Sequence, residues 1–543
     1  MASLNPYTGN LGIKNAAHLL RRAAFGATKQ QIDQYAGMTA AQTLDDLFQD
    51  VPVPEPPIDP LTGETWLNPK PDPEINSKNH LLLKYYMAWH FEQMRKSNIS
   101  IKERIVYFYH THLPVQYSIV RSSTEIYYQN VLYRYYAFGN FKTMFTKLTT
   151  DNAMLRYIDN HLNEAGSPNE NYAREMMELY TIGKGPQIAS GDYTNYTEED
   201  IQQVARVISG IKNDSEFTNL DPDTGIPGAI VRTNSEEQAY LHDSGVKTFS
   251  DKFQNTEIQP NELIGAYATE DAVYQELDDL MTMIFSQEET AKFLCRKIYR
   301  QFVYYDITEE IETDIITPLA ETFRTNDFNI EPVLRQLLRS EHFFDADNSV
   351  TTDDHVGAII KSPVELITGI LKFFDIELPE SDPDFYDNTY LGGLLNILDD
   401  QGMRFYEPID VAGYPAYHQT PTYNRHWITA TNLANRYLFG RQVVENDNLG
   451  FNLDIVDYVD NNISDPGDPD VIVQEIVDYM LPVDITPERF NYFKSFLTDK
   501  LSDKHWKEEW NNFKKGVNDD KATRVQLENF IIAIMQSPEY QLC

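Results

Sequence analysis

Along most of the chain, apolar residues recur every three to four positions, the spacing of a helix that buries one stripe. Many of these runs open on Ser or Thr followed three residues later by Glu or Gln, a pair whose side chains satisfy each other's orphan N–H groups. Examples are Thr28/Gln31, Thr39/Gln42, Ser100/Glu103, Ser122/Glu125 and Ser286/Glu289. Proline at the first helical position strengthens the signal at Ser167-Pro168, Ser362-Pro363 and Thr486-Pro487. Gly26, Gly183, Gly210 and Gly440 stand just past periodic segments, where helices end. The pattern predicts a mostly α, multi-helical single body.

Three stretches break the period. Eight prolines between Val51 and Glu74 predict an extended excursion. Between Asn213 and Ile258 short β-like runs, Ala229–Thr233, Ala239–Leu241 and Val246–Phe253, predict a small β-hairpin insertion. Residues 446–470, acidic and rich in Asn, Gly and Pro, predict a linker or loop between a main body (1–445) and C-terminal helices (471–543) packed on it.

Charge narrows the partners. With 45 basic and 83 acidic residues the net charge is −38. Such a surface repels phosphate backbones, so no nucleic-acid partner is expected. Cys295 and Cys543, the two cysteines, cannot build a disulfide framework or a Cys-rich zinc site. No apolar run is long enough for a transmembrane segment. The opening Met-Ala-Ser-Leu-Asn-Pro-Tyr lacks the basic and apolar regions of a secretion signal, so as written a cytoplasmic location is expected.

Polar residues gather at three irregular places. Helix Ile101–Leu113 carries His110 and His112, about 200° apart around the axis, and Pro114 should end it near His112. In Asn169–Leu179, Glu170, Arg174 and Glu178 form an i, i+4, i+8 ladder of alternating sign, with Glu175 turned to one side. His242-Asp243 sits in a turn beside Lys247. If His110, His112, Glu175, Glu178, His242 and Asp243 converge, they form a site for a divalent metal cation. If they do not, they are a helix end, a solvated ladder and a turn.

These residues also carry a resemblance. His18–Gly26, Tyr109–Leu113, Asn169–Gly183, Tyr196–Asp200 with Ala205-Arg206, His242–Thr248, Lys361–Pro363, Tyr406–Pro415, Trp427, Arg436 and Ser537–Gln541 follow in order the motifs of a large bacterial family catalogued as domain of unknown function 1800. The family's usual Trp-His-Asn-His-Phe is Tyr109-His110-Thr111-His112-Leu113 here, and its Gly-Trp is Gly413-Tyr414. The resemblance implies no activity. It does imply an association with alkaline-phosphatase-like proteins and an envelope or exported location. Two functions follow as expectations: a non-catalytic binding or scaffold protein in a cell-envelope assembly, and as the alternative a metal-dependent enzyme, a hydrolase, built on the His/Glu/Asp set.

Overall fold

The computed structural model describes residues 1–67, 73–347, 356–380, 384–445 and 449–543, with the backbone alone for 73–77. Helices dominate, joined by short connections into a single body. One apolar core runs from Ala2 to Tyr540 and takes in residues of nearly every helix.

Local chemistry explains most helix starts. Full capping boxes form at Thr28/Gln31, Thr39/Gln42 and Ser362/Glu365. Ser122 and Thr486 cap with their hydroxyls alone. Ser167 does not cap. Its N–H donates to the Glu164 carbonyl (3.1 Å), and Asn163 accepts from the Asn169 N–H (3.0 Å), so a turn occupies 164–169. The helix begins at Asn171 instead, behind Glu170. Ser100 and Ser286 do not form the expected boxes: helix Lys102–His112 opens behind Ile101 with Ser100 Oγ accepting the Lys102 N–H (3.2 Å), and Ser286 closes helix Glu270–Ser286 by donating to the Met283 carbonyl.

Gly440 lies inside helix Ala430–Glu445 rather than past its end. A Cβ there would stand 3.2 Å from Cβ of Met535, so the missing side chain lets helix Lys521–Met535 pack closely against it.

The helix-poor stretch carries its small antiparallel pairings as separate two-residue ladders. Ile211–Lys212 pairs with Ile230–Val231, and Lys247–Thr248 with Glu257–Ile258. Ala239–Leu241 is not a strand. Side chains take over the hydrogen bonding between ladders: the Asp214 carboxylate accepts from the N–H groups of Glu216, Thr218 and Asn219. The ladders cover a small satellite core around Leu155, Val231 and Val273.

Residues 449–470 include one complete helix between irregular stretches. Asp454 caps helix Ile455–Asn462, whose Ile455, Val456 and Val459 enter the main core with Leu453. The apolar pairs at 455/456 and 458/459 supply the buried stripe. Residues 446–448 lie outside the described set, as do 68–72 of the proline-rich excursion. The described part of that excursion is pinned to the body, because Trp66 donates to Ser123 Oγ (3.0 Å) and Trp89 to the Glu55 carbonyl (2.9 Å). No described helix is long and apolar enough to cross a membrane.

Candidate functional site

The histidine helix ends where Pro114 requires: it spans Lys102–His112, and Leu113 has left helical geometry. The two rings diverge. His110 lies 4.2 Å from the Tyr406 ring, next to His90, with Nε2 unpartnered. Burial holds its pKa down at about 3. His112 stacks on Phe108 and donates from Nε2 to the Tyr180 carbonyl (3.2 Å). Burial keeps it neutral as well.

Tyr180 belongs to the second segment. Helix Asn171–Glu175 passes directly into a π-helical turn, Met176–Thr181, braced by the Thr181 hydroxyl on the Met176 carbonyl (2.6 Å). Such widened turns recur where a helix presents functional groups. The widening ends the expected ladder at Arg174, which pairs with Glu170 and Glu198, while Glu178 turns to Lys184 (3.0 Å). Glu175 is half-buried. Burial, then the charges of Glu178 and Asp410, push its carboxyl up to about 7.

The third pair is elsewhere and fully engaged. His242 Nε2 meets Glu276 at 2.5 Å, its Nδ1 donates to the Ser209 carbonyl (2.9 Å), and Lys247 Nζ reaches the same Glu276 at 2.5 Å. Asp243 is held by the Arg206 guanidinium (2.8 and 3.1 Å). The expected site residues have these partners: His112 the Tyr180 carbonyl, Glu178 Lys184, His242 Glu276 and Asp243 Arg206. Among the described residues no three His, Cys, Asp or Glu side chains are grouped so that they could hold a metal ion.

The structure assembles something different beside His112. Helix Glu288–Phe302 directs Lys297 and Arg300 toward the end of the histidine helix, and the loop after Tyr406 brings His418. Together with Gln301 and Tyr417 these side chains line a cavity of about 20 Å³. Gly413 makes the approach possible. Its φ is +97°, and a Cβ there would lie 2.7 Å from the Thr111 carbonyl oxygen. Tyr157 and Tyr180 tie the same loop down through the carbonyls of Asp410 and Val411.

The cavity is basic, and no carboxylate lines it, although Asp410 stands behind His418. Lys297 lies against the Phe293 ring (5.3 Å), and neither it nor Arg300 forms an ion pair with a described carboxylate. Arg300 donates to the Tyr305 carbonyl (3.1 Å) and sits over Tyr423 (5.5 Å). Burial, reinforced by Arg300, pushes the Lys297 amine down to about 8. His418 Nε2 stands 3.8 Å from Asp410 and has no hydrogen bond, and burial lowers its pKa too.

Sequence reasoning singled out His112 but passed over Lys297, Arg300 and His418. A signal existed. Lys292 has Glu288 four residues before it and pairs with it at 2.8 Å. Lys297 has no acid three or four positions away in either direction, in a chain with 83 acidic residues.

The family described as protein of unknown function (DUF1800) matches this chain over residues 18–542. No curated protein and no solved structure matches it.

Proposed function

This chain belongs to the DUF1800 family, whose function is unknown, and we propose that it is a binding protein for a small oxyanion held by Lys297 and Arg300 in the cavity beside His112 and His418. The observation that carries this reading is the ammonium of Lys297 turned into a cavity with Arg300 and without a carboxylate. Charges drawn partly out of water are ordinarily paired, because losing hydration is costly. An oxyanion supplies the missing charge and accepts the free N–H donors. The donor set is cationic and so suits an anion better than the divalent cation of the metal-hydrolase alternative. A role beside an alkaline-phosphatase-like partner at the cell envelope is part of the proposal on the family resemblance alone.

Glu175 favours a second reading. A carboxyl held at about 7 at the start of a π-turn beside Asp410 suits proton transfer near neutral pH, an enzymatic use of the same region.

Isothermal titration with acetate and inorganic phosphate tests the first reading: saturable heat in the native protein and none in Lys297→Met supports it, and no heat with either anion overturns it. Recovery of bound ligand unchanged by NMR keeps the protein a binder. Chemical change of the ligand that Glu175→Gln stops would make it an enzyme.

A further inference from the structure

Lys297 is an unusual choice for a residue that supplies charge alone. An arginine stays cationic at any physiological pH, whereas a lysine drawn out of water gives up its proton readily. The surroundings of Lys297 favour that loss: Phe108 lines the cavity with it, the Phe293 ring centre lies 5.3 Å from Nζ, and Arg300 follows one helical turn on. Burial, then the Arg300 charge, bring its pKa to about 8, so free amine is present near neutral pH. Among the described residues Nζ has no hydrogen bond and no ion pair to tie it down. Ala412 and His418 are half-exposed at the mouth of the cavity, whereas Phe108, Thr111 and Gln301 form a buried floor.

Resting on the oxyanion reading above, we propose that the ligand is a small 2-oxo acid whose carboxylate is held by Arg300 and whose carbonyl carbon forms an imine with Nζ of Lys297. Lys297 and Arg300 stand three residues apart on helix Glu288–Phe302, which sets their Cβ atoms about 5–6 Å apart on one face. Neighbours that close suit a carbonyl directly next to its carboxylate, and a cavity of about 20 Å³ favours the shortest such molecules. Among the described residues Arg300 bonds through Nε, to the Tyr305 carbonyl, and its terminal N–H groups remain for the carboxylate. Asp306 and Glu312 act on that guanidinium from beyond ion-pair distance. His418 is close enough to Lys297 for the two charges to oppose each other, and its Nε2, 3.8 Å from Asp410, has no hydrogen bond. In the step itself the amine lone pair attacks the carbonyl carbon. The two amine hydrogens pass in turn through His418 to the carbonyl oxygen, which departs as water and leaves a C=N bond, with nothing oxidised or reduced.

The test is reductive trapping on the full chain with glyoxylate, pyruvate or acetaldehyde and cyanoborohydride, read by intact mass and peptide mapping. We expect one of the two oxo acids to label Lys297 at least tenfold faster than any other lysine, and excess acetate to slow that labelling. Acetaldehyde, which lacks the carboxylate, should show no such preference for Lys297. Lys297→Arg keeps a cation in the cavity, so acetate should still give heat in calorimetry while the trapped adduct is lost. The lysine-by-lysine comparison in the native chain needs no variant, so the idea stays testable if Lys297→Arg fails to fold. Oxo-acid labelling spread evenly over the lysines, or acetaldehyde as selective for Lys297 as the oxo acids, would overturn this inference, and acetate heat would then leave the oxyanion site standing. An absence of both acetate heat and selective labelling would overturn both.

Discussion

Two lysines, one fully buried and one half-buried, divide this protein's polar interior. Lys247 meets Glu276 and lies beside His242, with the side chains of all three 0% exposed. Lys297 shares its cavity with His112 and His418 and meets no described carboxylate. The residue types are alike, but the first group is closed: each charge has its opposite, and the histidine ring is fixed by the Ser209 carbonyl. It pins strand Lys247–Thr248 to helix Glu270–Ser286. The second is open, with positive charge and free donors turned toward empty space. A lysine and a histidine in proximity do not define a role. What completes their charge does.

The largest expected effect tests the closed group. Glu276→Gln strands the Lys247 ammonium and should destabilise the protein by about 3–5 kcal/mol in chemical denaturation. A loss below about 1 kcal/mol would mean that the trio is not a clamp, and the contrast would fail.

Next comes the open group. An anion at one hundred times its Kd should add about 2.7 kcal/mol to the stability of the native protein. Lys297→Met should lose that gain entirely, yet alter stability without anion by less than about 1 kcal/mol, because an apolar chain replaces an unpaired charge. Thermal melts with and without acetate separate the two quantities.

The pH dependence sharpens the same point. The Lys297 pKa is lowered in the folded chain to about 8 from an ordinary 10.5, so between those values the unfolded chain binds more protons. The contribution of Lys297 to stability therefore rises with pH across that window. Anion affinity should move the opposite way and fall above about pH 8, as the ammonium is lost. Calorimetric titrations from pH 6.5 to 9.5 would follow it, and an affinity flat across that range would remove Lys297 from the site.

The smallest effects concern helix starts. Ser362→Ala removes one half of a capping box and should cost about 1 kcal/mol. Ser167→Ala removes no cap and should stay within about 0.5 kcal/mol. Equal losses in the two variants would show that the turn at 164–169 leans on the Ser167 hydroxyl after all.

The helical body was legible because its signals are local. Thr28, Thr39 and Ser362 cap through residues three positions away, and the 200° between His110 and His112 follows from helix geometry, so the divergence of their rings was readable in advance. Glu276 was readable too, since it stands among Val273, Leu277 and Leu280 on the buried stripe of its helix. The meeting of Lys297 with His112 and His418 was not. It depends on a glycine, Gly413, letting a loop from more than a hundred residues away lie against the Thr111 carbonyl, and nothing near Lys297 encodes that approach. The α-to-π change at Met176 was hidden for a related reason: the side-chain spacing of Asn169–Leu179 fits a regular helix equally well.

The basic cavity lies within a chain of net charge −38, and this has a kinetic consequence. A small anion diffusing toward the protein meets repulsion over tens of ångströms before the attraction of Lys297 and Arg300 takes hold. Added salt shortens the reach of that outer repulsion to about 8–10 Å at physiological strength, while the contact pair, shielded from solvent, is weakened much less. Capture should therefore quicken as ionic strength rises from a few millimolar, the reverse of ordinary electrostatic steering, so that the exterior acts as a gate whose height is set by the surrounding electrolyte.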